Sequence, residues 1–150
     1  MLHLYTEPDK FTQLMSLVDG NARNPTDGDL YFNNTLARLN ATDHIITLAS
    51  STGQPHVKSK QLLYIHMAVS RDGADMVARL FQQAQKQIHH DWETDNQPSG
   101  LTLKPTALQL RFNYYHTHGM WLQAMTIQCH GIVNTTAQNY VVKLLHDACR

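Results

Sequence analysis

Charge is scarce in this chain. Only 16% of its residues are Asp, Glu, Lys or Arg against 42% hydrophobic, a balance that excludes a disordered polyelectrolyte and favours a folded core. Twelve cations cancel twelve anions, so the basic excess of a nucleic-acid footprint is missing and little net repulsion opposes self-association. Cysteine is nearly absent: Cys129 and Cys149 are too few for a disulfide framework or a Cys-rich zinc site, and reduced thiols are expected. No apolar run approaches the roughly 18 residues of a membrane helix. The best run, 62–69, is short and contains His66. The opening MLHLYTEPDKF lacks a basic stretch followed by an apolar one, so no signal peptide is expected and a cytoplasmic location is. G-x-G-x-x-G, the P-loop, H-E-x-x-H, G-x-S-x-G and C-x-x-C are all missing, which removes the commonest cofactor and nucleophile motifs. No cofactor and no resident metal are expected.

What is present reads as one α+β domain spanning 1–150, a size that buries a two-layer core without staples. LHLYT at 2–6 reads as a short strand, and Thr6 then caps a helix with Phe11, Leu14, Met15 and Val18 on one face. Phe32, Leu36 and Leu39 fit a second helix despite the paired asparagines beside them. Residues 44–48 form a strand, and 62–69, apolar on both parities, form a central one. Asp72 is the expected cap of a long helix with Ala74, Val77, Phe81, Ala84 and Ile88 inward. Thr135 and Gln138 spell a capping box ahead of a last helix lined by Ala137, Tyr140, Val141, Leu144, Leu145 and Ala148. Hairpin-joined strands with helices returning across one face give a two-layer sandwich on a mainly antiparallel sheet, of which a ferredoxin-like arrangement is one variant.

The stretch NYYHTHGMW at 113–121 fixes a register. With His118-Gly119 as a two-residue turn, Thr117 faces Met120, His116 faces Trp121, and the pairing runs back to Leu108 against Cys129. One face of the hairpin is then almost wholly apolar. The other carries Gln109, Arg111, Asn113 and Tyr115 against Thr126, Gln128 and His130, with Leu122 and Ala124 among them. Those seven polar residues form an array of donors and acceptors suited to a small polar ligand or a protein partner.

His116-Thr117-His118, with Tyr140-x-x-Lys143 downstream, resembles the two-histidine and tyrosine arrangement of the HUH endonucleases. The resemblance implies a divalent metal held by His116 and His118 and a DNA-attacking Tyr140. Thr117 stands where that family has a hydrophobe, and the sequence supplies no basic groove. His44-Ile45-Ile46-Thr47 resembles the His-x-Thr motif of two-histidine phosphoesterases with one residue too many, which turns Thr47 to the opposite strand face. The expectation is therefore a non-catalytic binding or interaction domain, associating with copies of itself, for a small polar ligand or a protein partner. The alternative is a metal-dependent phosphodiesterase or HUH-like nicking enzyme. Neither membrane nor nucleic acid is an expected partner.

Overall fold

The computed structural model describes residues 29–55, 57–58, 61–117 and 119–149. The strand at 2–6 and the helix after Thr6 lie outside the described residues. Helix α1 (Leu30–Asn40) starts where Asp29 accepts a hydrogen bond from the Phe32 amide at 3.0 Å, and it buries Phe32, Leu36 and Leu39 as their spacing predicts. The asparagine pair is tolerated because Asn34 is exposed and Asn33 half-buried. Strands β1 (Ile45–Ser51) and β2 (Leu63–Val69) follow, then helix α2 (Arg71–Glu93), strands β3 (Leu108–Thr117) and β4 (Met120–Cys129), and helix α3 (Thr135–Ala148).

Both expected caps are displaced by one or two residues. Ser70, not Asp72, caps α2: its backbone is extended and its hydroxyl accepts from the Gly73 amide at 3.2 Å. Asp72 lies inside the first turn, where its charge favours the positive end of the helix. At α3 the cap is Asn134, whose side chain accepts from Ala137 at 2.8 Å, so no box closes between Thr135 and Gln138. Gln138 instead donates to the Thr52 and Gly53 carbonyls, tying α3 to the loop after β1.

The described strands form one antiparallel sheet in the order β1-β2-β4-β3, so among the described residues β2 and β4 are central and β1 and β3 are edges. The three described helices pack on one face of it, giving the α+β sandwich. The core lies between: Ile45, Leu63, Ile65, Met67, Val69, Met125 and Ile127 from the sheet meet Leu36, Val77, Ala84, Ile88, Val141 and Leu145 from the helices. Each of these side chains except the small Ala84 contributes about 1.5–3 kcal/mol on burial. Residue 48 is the extra residue of a β1 irregularity between Thr47 and Ala49, and the buried Asn40 amide holds that bend by accepting from Thr47 N at 2.9 Å and donating to Thr47 Oγ1 at 2.7 Å. No helix among the described residues is long and apolar enough to cross a membrane.

Candidate functional site

The β3–β4 hairpin has the register its turn demands. Thr117 pairs with Met120 across Gly119, whose φ of 74° suits a residue without a Cβ, and the ladder runs unbroken to Leu108 against Cys129. Beyond it the His130 amide donates to the Ala107 carbonyl at 3.0 Å. This fixes the parity of the ladder: residues 107, 109, 111, 113, 115 and 117 turn their backbone groups towards β4, and 108, 110, 112, 114 and 116 turn theirs outward.

The apolar face of the hairpin divides in two. Leu108, Met125, Ile127 and Cys129 are buried under the helices. Phe112 is 62% exposed, Tyr114 52% and Trp121 59%, although they continue the same stripe. The register explains the change. Ala68 at the end of β2 is level with Ala124 and Asn113, and α2 begins at Arg71 and runs back over the sheet, so the hairpin projects beyond the start of the helix. His116 stacks on Trp121 with ring centroids 4.7 Å apart, extending the aromatic strip to the tip.

The opposite face holds the polar array. Arg111, Thr126 and His66 stand in one row across three strands, and Gln109, Gln128 and Tyr64 in the next. Thr126 Oγ1 accepts from Asn113 Nδ2 at 3.0 Å and lies 2.6 Å from His66 Nδ1. Gln128 Nε2 bonds Gln109 Oε1 and His130 Nε2, both at 3.1 Å. Burial holds the His66 imidazole below its ordinary pKa, so it is neutral near pH 7. The centre of this face is not solvated, since Leu122, Ala124, Thr126 and Gln128 are all buried. Gln109, Arg111 and His130 are exposed and Asn113 half-exposed; for Tyr115 only the backbone position, opposite Leu122, is described. Gln109 and His130 also border an open depression of about 470 Å³ with Leu103, Lys104 and Val133. In the sequence His66 stands alone in the 62–69 run, because nothing in the chain announces that β2 sits beside β4.

No protein-family model, curated protein or solved structure matches this chain. Its chemistry rests on its own geometry.

His116 and Tyr140 are not brought together. Tyr140 donates to Asp91 Oδ2 at 2.7 Å, near the end of α2, six residues past Gln85, which reaches the Leu108 carbonyl. His116 lies eight residues along β3 from Leu108 in the other direction, about 26 Å at 3.3 Å per residue. Burial and the Asp91 carboxylate both raise the Tyr140 pKa, which opposes the phenolate that attack on a phosphate needs. His118 lies outside the described residues, and among those described no three His, Cys, Asp or Glu side chains gather around a common point.

One further contact resembles a catalytic pairing in its residue types alone. His44 Nδ1 lies 3.0 Å from Ser70 Oγ, with Asp72 Oδ2 3.8 Å from His44 Nε2. Ser70 Oγ accepts the Gly73 amide, and the Asp72 carboxylate is mostly exposed and beyond hydrogen-bonding distance, so the group serves as a helix cap.

Proposed function

We propose that this chain is a non-catalytic interaction domain that receives a protein partner on the projecting half of the β3–β4 hairpin. The observation that carries this reading is the aromatic strip of Phe112, Tyr114 and Trp121, each more than half exposed in a stripe that elsewhere forms the core. Aromatic side chains anchor interfaces because they bury about 150–250 Å² each with few rotamers to immobilise, and Tyr114 and Trp121 add a polar tip. Exposed contiguous apolar surface of this kind marks an interaction site on a folded protein.

A small polar ligand on the opposite face has less support. The Thr126 and Gln128 side chains there are buried and bonded to neighbours, which leaves fewer groups to meet a ligand. Phosphodiester chemistry has less still, since His116 and Tyr140 stand at opposite ends of the hairpin and α2.

The test is a photo-crosslinking residue placed at Tyr114 and, separately, at His90 on the outer side of α2, in the full chain within its host cell. A single covalent protein adduct from position 114, absent from position 90 and lost with Trp121→Ser, is the expected result. No adduct from position 114, together with a stoichiometric metal or small molecule retained in native mass spectrometry, overturns the proposal.

A further inference from the structure

We infer that the partner is a second copy of this chain, joined edge to edge through β3 about a two-fold axis at Asn113, so that two four-stranded sheets become one of eight strands. This deepens the interaction reading and rests on it.

The two edges of the sheet differ. β1 is seven residues long and carries an irregularity at its middle, features that discourage pairing with another strand. β3 is ten residues long and unbulged, with Arg111 its only Lys, Arg, Asp or Glu and no proline or glycine. A long, regular, weakly charged edge is a template for another strand. Its outward backbone groups belong to 108, 110, 112, 114 and 116. The Leu108 carbonyl is already covered, since Gln85 Nε2 reaches it at 3.4 Å. Leu110, Phe112, Tyr114 and His116 remain, with no backbone partner among the described residues.

That remaining set is symmetric about Asn113, and this selects the register. Antiparallel pairing about Asn113 places Leu110 against the partner's His116 and Phe112 against the partner's Tyr114, and the axis repeats both pairs. All four outward residues then exchange backbone hydrogen bonds. A register centred on Phe112 would instead spend the covered Leu108, and one centred on Arg111 would set two cations face to face. About Asn113, Arg111 falls opposite Tyr115 of the partner subunit. The two-fold axis stands perpendicular to the sheet, so Phe112 and Tyr114 of both copies meet on the same face, with Trp121 of each one strand further in. It also sets the helix-covered start of each β3 beside the bare tip of the other.

The edge carries apolar surface to bury. Phe112 and Tyr114, each more than half exposed, lie side by side across the axis while Trp121 stands one strand in, so the interface falls below the lower range of stable complexes, about 1,200 Å², and a concentration-dependent dimer is expected. The formal charge of zero sets no repulsive field against it.

The test is sedimentation velocity of the full chain over a wide concentration range, beside two variants. Tyr114→Pro removes an amide that faces away from β4, so the hairpin ladder keeps its bonds while the edge is blocked. Tyr114→Lys keeps the amide and puts a charge on the edge. The wild type is expected to sediment as a dimer and both variants as monomers with unchanged circular dichroism. In a Cys149→Ser background, Asn113→Cys is expected to form an intersubunit disulfide on mild oxidation and Gln109→Cys is not. Asn113 would face its own copy in a non-hydrogen-bonded pair, with Cα atoms about 4.5 Å apart, within disulfide reach. A monomeric wild type, a dimer unaffected by both Tyr114 variants, or crosslinking from Gln109 rather than Asn113 overturns the pairing. A monomer whose position 114 still crosslinks to a different protein overturns the pairing and leaves the interaction domain standing, whereas a monomer with no adduct removes both.

Discussion

Replacing Gly73 by alanine separates helix propensity from packing, because the two predict opposite signs. Gly73 sits in the first turn of α2, where alanine is ordinarily favoured over glycine by about 1 kcal/mol. A Cβ built there falls 2.1 Å from the His44 carbonyl oxygen and 2.9 Å from its carbon. Backbone cannot swing aside as a side-chain tip can, so α2 must lift from the β1 entry by about 1 Å. The same carbonyl accepts the Ser70 amide at 3.0 Å, and that bond stretches as the helix moves. Overpacking costs about 1–3 kcal/mol and a weakened hydrogen bond about 0.5–1.5. Against the propensity gain, a net loss of about 1–3 kcal/mol is expected. At about 3 °C for each kcal/mol in a chain of this size, the Gly73→Ala midpoint falls by about 3–9 °C in a thermal melt. The urea midpoint falls with an unchanged slope. A variant as stable as the wild type, or more so, refutes the close approach of α2 to His44 on which the placement of the helix layer depends.

The other expectations are local. Ser70→Ala removes the α2 cap and its contact with His44 and should cost about 1 kcal/mol, while Asp72→Ala should cost less by the same denaturant assay; equal losses would return the cap to Asp72. Because burial lowers the His66 pKa below 6.5, the unfolded chain binds that proton first as pH falls. The contribution of neutral His66 is full above 6.5 and declines as pH falls below that value towards the lowered one. His66→Gln should therefore flatten the stability profile there, and an unchanged slope between pH 7 and 5 would refute it. Burial pushes the Cys129 thiol up to about 12, and that of Cys149 to about 11 despite the nearby Arg38, so neither should react readily with a thiol reagent at pH 8 until the chain unfolds. Rapid labelling of Cys129 in the native state would contradict its burial.

The hairpin was the most legible element, since a two-residue turn containing Gly119 and strict alternation along 108–117 agree on one register. The helix faces were legible for the same reason of period: Val77, Ala84 and Ile88, or Val141 and Leu145, recur where a buried stripe requires. The caps were less so, because Ser70 and Asp72, or Asn134 and Thr135, are all competent cap residues and backbone direction chooses between them. Alternation tells which side of a strand Phe112 and Tyr114 occupy, but not how far the helical layer extends above them. That depends on where α2 starts relative to β4, a property of strand order. The link between His66 and Thr126 was hidden likewise, since it needs β2 beside β4. Alternation alone puts Gln109, Arg111, Asn113, Tyr115, Thr126, Gln128 and His130 on one side of the hairpin, yet the buried centre of that face shows in the sequence only as the apolar Leu122 and Ala124 within it.

Amide hydrogen exchange along β3 tests the interaction account most directly. In a lone hairpin, the amides of Asn113 and Arg111 are held by β4 while those of Leu110, Phe112, Tyr114 and His116 face outward and exchange freely. The paired edge predicts that these four become protected as protein concentration rises and lose that protection in Tyr114→Lys, with Asn113 and Arg111 protected throughout. Free exchange at Phe112 and Tyr114 at every concentration, in the presence of cell extract as well as in the purified protein, would contradict it.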